Sequence, residues 1–374
     1  MIKNLLKFCL LLMSFQLVFA GIAEAQLTTI PRGGNKRASV SEGIGITNII
    51  INYSRPGIKK REGHIWGELI PVGFTELGYG AKKPAPWRAG ANENTTIEFT
   101  TDVKIDGHDL PAGRYGFFVA YGPDESTLIF SKNSTSWGNF FYDPAEDALR
   151  VNVKPVKTDK SVEYLKYEFA DQTSSSATVQ LQWEKLMIPF RIDVDVIKTQ
   201  IASFRKELRG DKALPALWQG WNQAAAFCAT NKTNLEEGLM WADSAVSFRF
   251  GGSTSFTPWQ TKAAVLDSMG RKAEAAEIMK NALPYADQFE AYVYASALMA
   301  AKQTKDAIAV FKINYQKFPD NLFTNLGMAC SYSALGDYKK ALVYAQKALP
   351  QAKGGNKLEV ERNIRDLQNG KDIN

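Results

Sequence analysis

The stretch Trp87-Arg88-Ala89-Gly90-Ala91-Asn92-Glu93-Asn94-Thr95-Thr96 gathers an indole, a guanidinium, a carboxylate and two amides around one glycine. Side chains of these types can make a binding or a catalytic site, and a carboxylate among them can move a proton. Two readings follow. In one, Arg88, Asn92 and Glu93 form a ligand pocket beside Trp87. In the other the stretch is a polar turn: Gly90 admits a positive φ, Asn92 bonds its own backbone, and Arg88 pairs with Glu93 with Trp87 stacked on a guanidinium. The turn accounts for every residue and is preferred; chemistry carried by loops on a rigid sheet keeps the pocket open.

Other residues bear the same double reading. Arg55, in Tyr53-Ser54-Arg55-Pro56, reaches an acidic group or terminates a strand edge. Trp137, Phe140, Phe141 and Tyr142 either form a stacking platform for sugar rings, and hence a carbohydrate-binding module, or pack under a long loop. Glu93 with Asp143 or Asp147 would be the acid/base pair of a cell-envelope carbohydrate hydrolase, although no spacing fixes their separation. His64 and His108 lie in separate loops outside any nucleophile motif. With so few histidines and cysteines, metal binding by those residues is not expected, no cofactor is implied, and only an all-carboxylate calcium site stays open. No catalytic residue is assigned; enzyme activity is uncertain and not the preferred reading.

The elements that must position these groups come from a chain of 374 residues, 45% hydrophobic and 22% charged, with a net charge of +6. That supplies two ordinary cores and excludes both a disordered chain and a polytopic membrane protein. Basic residues are scattered, with no run longer than Lys59-Lys60-Arg61, so no nucleic-acid partner is expected. Lys3 and Lys7, a short apolar run and Ala23-Glu24-Ala25 form the pattern of a cleavable signal peptide over residues 1–25. The expected location is therefore periplasmic or secreted, with no membrane span after cleavage; an uncleaved anchor is the alternative. Cleavage removes Cys9 and leaves Cys228 and Cys330.

Residues 26–195 are the expected β domain, and from about residue 37 they read as eight to ten short strands, mostly of period 2, with Asp106-Gly107 marking a hairpin turn. In Val162–Ala170 either face could be the inward one. Beyond Asp195 the period becomes helical: a linker helix over 196–211 with Gly210 at its end, then residues 212–370. There Ala329, Tyr332, Gly336, Tyr338, Ala341, Ala345 and Ala348 mark one unit; a shift of 34 residues back lands Ala341 on Ala307, with Phe311 and Pro319 following it, and a further 32 back lands on Ala275. Small residues at each turn let helices approach closely, and one hairpin cannot bury its apolar face alone. Thr257-Pro258 reads as a helix cap followed by its first residue.

This pattern resembles the tetratricopeptide repeat, which implies stacked helical hairpins binding a protein or peptide. Gln260, Tyr292, Ser296, Met299 and Ser333 fall on first helices and so on the concave face of such a stack. Cys228 and Cys330 fall on the first helices of the first and fourth units, too far apart to pair. The β half, through "YSRP", "WRAGANE", "LPAGRY" and "YDPAEDALRV", resembles the exported bacterial family known as Domain of Unknown Function 2911. That resemblance implies a β domain and export, and carries no activity. The expected protein is two-domain α+β: an N-terminal antiparallel β-sandwich or barrel followed by an all-α tetratricopeptide-like superhelix. Its expected role is non-catalytic binding or scaffolding.

Overall fold

Alternating apolar and polar residues let a strand pack one face and wet the other, whereas small residues at helical spacing let helices touch. Both habits are realised in the computed structural model, which describes residues 34–78 and 80–374. The segment 1–25 and Cys9 lie outside the described residues. The chain divides into two units, Met1–Thr199 and Gln200–Asn374.

The first unit is an antiparallel sandwich. One sheet runs β1 (Lys36–Ile44), β2 (Thr47–Arg55), β5 (Thr95–Phe99), β8 (Gly113–Ala120), β9 (Ser126–Ser131) and β10 (Asp147–Val153). The other runs β11 (Val156–Ala170), β12 (Ser176–Asp193), β6 (Val103–Ile105) and β7 (His108–Leu110), and β3 (Thr75–Glu76) pairs with β4 (Pro84–Ala85) as a separate ribbon. Their inner faces share one core: Ile49, Ile51, Ile97, Phe117 and Phe130 meet Leu165, Trp183, Ile188 and Phe190. The ring of Phe117 lies 5.2 Å from Phe130 and 5.5 Å from Phe190 across the sandwich.

The Asp106-Gly107 hairpin forms as expected, with φ of 44° and 87° joining β6 to β7. In β11, Leu165 and Tyr167 point inward, while Tyr164 is 49% exposed. The described residues hold twelve strands rather than eight to ten, two of them very short. The runs 177–183 and 186–194 also join into one long strand, β12, through Glu184, whose φ is 53°. The register of β11 against β12 shifts there, and the Glu184 carboxylate accepts the backbone N–H of Gly63. A bulge thus stands where the sequence suggested a break.

The helix α1 (Val196–Glu207) runs across the boundary, and the second unit then holds four helical hairpins: α2 (Gln219–Asn231) with α3 (Leu235–Ala245), α4 (Phe256–Ser268) with α5 (Lys272–Ala282), α6 (Gln288–Ala300) with α7 (Thr304–Lys317), and α8 (Leu322–Ala334) with α9 (Tyr338–Ala348). A last helix, α10 (Gly354–Gln368), packs on α9. Ala263, Ala295, Ala307, Ala329, Ala341 and Ala345 are buried at the helix contacts. At Gly327 on α8 the approach is closer still: a Cβ would overlap the Phe311 ring of α7.

Three local expectations are corrected. The helix α1 ends at Glu207, and Gly210 has φ −112°, so it is not the left-handed stop residue. The helix α4 starts at Phe256 with Ser255 as its cap, so Thr257 is already helical and its hydroxyl donates to Glu290 Oε1 at 2.8 Å. The tail beyond α10 folds back on α8, with consequences for Ser333 described below. Cys228, on α2, and Cys330, on α8, are both free thiols.

Candidate functional site

Trp87 is held to the sheet by a two-way bridge with Val119, its N–H donating at 3.0 Å and its carbonyl accepting at 2.8 Å. The indole Nε1–H donates to the Gly90 carbonyl at 3.0 Å and so closes the turn. Its ring stacks on Trp183 at 6.1 Å and meets the edge of Trp66 at 5.5 Å. Between them Ala89, fully buried, adopts φ of 49°, and Asn92 adopts 59°. Left-handed backbone at a non-glycine persists only where its surroundings enforce it. The enforcers are visible: the Ala89 carbonyl accepts the Tyr167 hydroxyl at 2.7 Å and the Thr95 hydroxyl at 3.1 Å.

These reversals send Arg88 and Glu93 apart, so the expected Arg88–Glu93 pair does not form. The Arg88 Nη1 donates to the Asn92 carbonyl at 2.7 Å and Nη2 to Asn139 Oδ1 at 3.1 Å. The ring under its guanidinium is Phe140, at 4.8 Å, rather than Trp87. Glu93 instead forms an ion pair with Arg37 of β1 and accepts the Ser54 hydroxyl at 3.3 Å. Burial pushes the Glu93 carboxyl up, but its own backbone N–H, Arg37 and Ser54 together hold it below its ordinary value.

The turn borders two clefts that share part of their lining. The larger, about 420 Å³, is lined by Lys59, Arg61, Trp87, Arg88, Asn92 and Trp183 among others. A smaller one of about 130 Å³, with Pro71, Leu77 and Ala85 in its wall, shares Leu69, Trp87 and Arg88 with it. Glu93 lines a different cleft of about 390 Å³, with Arg37 and Arg114. The structure therefore brings Trp87, Arg88 and Asn92 together and leaves Glu93 out. Lys59, Arg61 and Trp183 join them without a site motif in the sequence. The only signal was the basic triplet Lys59-Lys60-Arg61, which reads as a solvated loop, and a strand tryptophan, which reads as core.

The remaining candidates lie elsewhere. Arg55 Nε donates to the Leu165 carbonyl at 3.0 Å, tying the end of β2 to β11. Trp137 is 54% exposed, but Tyr142 is buried. The Tyr142 hydroxyl donates to Asp147 Oδ2 at 2.6 Å and accepts from Arg150 at 2.9 Å, so it cannot share a sugar-facing platform with Trp137. Burial and the Asp147 carboxylate raise the Tyr142 phenol well above its usual range. Asp143 caps the short 3₁₀ turn at Pro144–Glu146, and its carboxylate lies 4.0 Å from Lys83 Nζ.

In the helical unit Gln260, Tyr292, Ser296 and Met299 are half-buried. Ser333 is buried: its hydroxyl donates to Asp372 at 2.6 Å and accepts the Ile373 N–H at 3.1 Å, so the C-terminal tail occupies the place expected for a partner. Tyr292 packs against Phe311 and Phe323, and its neighbours Phe289 and Val293 are exposed.

Residues 35–192 match the family described as a protein of unknown function (DUF2911). No curated protein matches the chain. Among solved structures it is similar to "Crystal structure of YrrB: a TPR protein with an unusual peptide-binding site", with 15% identity and a TM-score of 0.28, over 45% of this chain and 94% of that one. No helix among the described residues is long and apolar enough to cross a membrane.

Proposed function

We propose that this protein is an exported, non-catalytic binding or scaffolding protein that holds a protein or peptide on its helical unit and a ligand on its β unit. One observation carries the first half. Phe289 and Val293, one helical turn apart on α6, are 50% and 44% exposed, and the Phe289 ring lies 4.8 Å from Phe323 on α8 of the next hairpin. An apolar strip that crosses from hairpin to hairpin is the surface a helical stack offers to an extended or helical peptide. Tyr292, Ser296 and Met299 border it on α6, and Gln260 belongs to the preceding hairpin.

The test is capture of partners from cell-envelope extract with the intact chain and with Phe289→Ser/Val293→Ser, whose far-UV circular dichroism should match. Partners lost only in the variant support the reading. Identical partner sets would refute it. Export rests on the charged, apolar and small-residue pattern of residues 1–25. It predicts a mature N-terminus at Gln26, readable by N-terminal sequencing.

In the hydrolase reading Glu93 suits the base or nucleophile role rather than the acid. A proton-holding acid needs a raised pKa, and Arg37 and the hydrogen bonds to Glu93 shift it the other way. Carbohydrate binding keeps Trp137 and Phe141, 54% and 60% exposed, and a glycan array with Trp137→Ala as control tests it.

A further inference from the structure

We infer that the seat around Ser333 on α8 is a docking site for a peptide segment of Asp-Ile type, and that residues 372–374 fill it in cis. The inference rests on the reading of the helical unit as a peptide-binding unit and names the chemistry of one such peptide: a carboxylate followed by a branched aliphatic side chain. Three contacts define the seat. The buried Ser333 hydroxyl donates to Asp372 Oδ1 at 2.6 Å and accepts the Ile373 N–H at 3.1 Å. Asn374 Nδ2 donates to the Cys330 carbonyl at 3.1 Å, about one turn earlier on the same helix. Ile373 packs against the cluster of Ala329, Ala341, Ala345 and Leu367, where α8, α9 and α10 meet.

Helix α10 does not depend on this stretch for its own closure. Gly370, with φ of 67°, sends its N–H to the Leu367 carbonyl at 3.1 Å, and the Lys371 N–H reaches the Asp366 carbonyl at 2.9 Å. Residues 372–374 come after that stop. Asp372 and Asn374 are exposed and Ile373 is half-buried, whereas the Ser333 they cover is 2% exposed. A deep seat thus carries a shallow occupant. Its contacts are those of a docked peptide: one hydroxyl serves a side chain and the main chain together, a helix carbonyl takes an amide, and an aliphatic anchor meets an apolar hollow. The Asp372 carboxylate also accepts the Asn374 N–H at 3.3 Å and its Nδ2 at 2.7 Å, which fixes the bend of the three residues. A segment tethered this closely acts at an effective concentration on the order of millimolar. It therefore competes with any segment of the same chemistry from another molecule.

The test titrates the full chain with the acetylated, amidated peptide Gly-Lys-Asp-Ile-Asn, followed by ligand-observed NMR. Saturable binding is expected to the Asp372→Ala/Ile373→Ser chain, whose far-UV circular dichroism should match that of the intact chain. The intact chain should bind at least about tenfold more weakly, because its own stretch holds the seat. Asp372→Ala alone, an exposed change, should fall between the two. Adding Ser333→Ala to the double variant should weaken the peptide roughly tenfold, and the control peptide Gly-Lys-Ala-Ser-Asn should not bind. Equal affinity of the intact and double-variant chains, or no effect of Ser333→Ala, would overturn the inference, as would failure of the peptide to bind any of these chains. Those results leave the strip at Phe289 and Val293 standing, since Phe289→Ser/Val293→Ser reads it separately.

Discussion

The guanidinium of Arg88 and the amide of Asn139 meet at 3.1 Å, and Asn139 turns its Nδ2 back to the Pro86 carbonyl at 2.6 Å. The loop around residues 137–142 is thereby pinned to the Trp87 turn. Gly138, beside Asn139, has φ of 65°, and a Cβ there would overlap the Arg88 guanidinium.

Removing this clasp should be costly. Asn139→Ala leaves the buried Pro86 carbonyl without this donor and is expected to lower stability by about 1–3 kcal/mol. Gly138→Ala, adding both a collision and left-handed strain, should cost at least about 1 kcal/mol. Urea unfolding followed by tryptophan fluorescence measures both, and a wild-type midpoint for Gly138→Ala would contradict the packing described.

The Glu93–Arg37 contact gives a pH signature. The folded pKa of Glu93 lies below its ordinary value of 4.5, so its contribution to stability is present above 4.5 and is lost as pH falls through the folded value. Glu93→Gln should therefore have a lower melting temperature than wild type at neutral pH. The two curves should converge as pH drops below the ordinary carboxylate range. A gap that widens with acidification would show the opposite shift.

Ala89 and Tyr167 form a matched pair of tests. Tyr167→Phe deletes the hydroxyl that holds the Ala89 carbonyl at 2.7 Å in a fully buried site and should cost about 1–2 kcal/mol. Ala89→Gly relieves φ of 49° and should leave stability unchanged or raise it by up to about 1 kcal/mol. The same denaturation series reads both, and a clear loss for Ala89→Gly would contradict the strain argument.

In the helical unit, Gly327→Ala drives a methyl into Phe311 and should destabilise by about 1–3 kcal/mol, seen as an earlier loss of helical circular dichroism. Pairing it with Phe311→Leu should recover part of that loss, because the two substitutions share one space.

The two thiols should be inert in the native state. Burial, with the Glu359 and Asp372 carboxylates, pushes the Cys330 thiol up to about 12, and burial also raises Cys228. A thiol reagent at mildly alkaline pH should label neither until denaturant is added. Rapid native labelling of Cys330 would show that its surroundings open.

Much of the fold was written in local periodicity. Alternation announced the strands, Asp106-Gly107 their tightest hairpin, and alanines at turn spacing the helical contacts, because each of these depends on backbone geometry over a few residues. The tertiary structure alone decided which distant groups met. It set β8 between β5 and β9, turned Leu165 and Tyr167 inward, and joined two runs into β12 through Glu184. It gave Arg88 to Asn139 and Glu93 to Arg37, buried Tyr142 and Ser333, and drew Lys59 and Arg61 beside Trp87. A side chain's type is fixed by the chain, but its partner is fixed by which faces pack, and no spacing along the sequence encodes that distance.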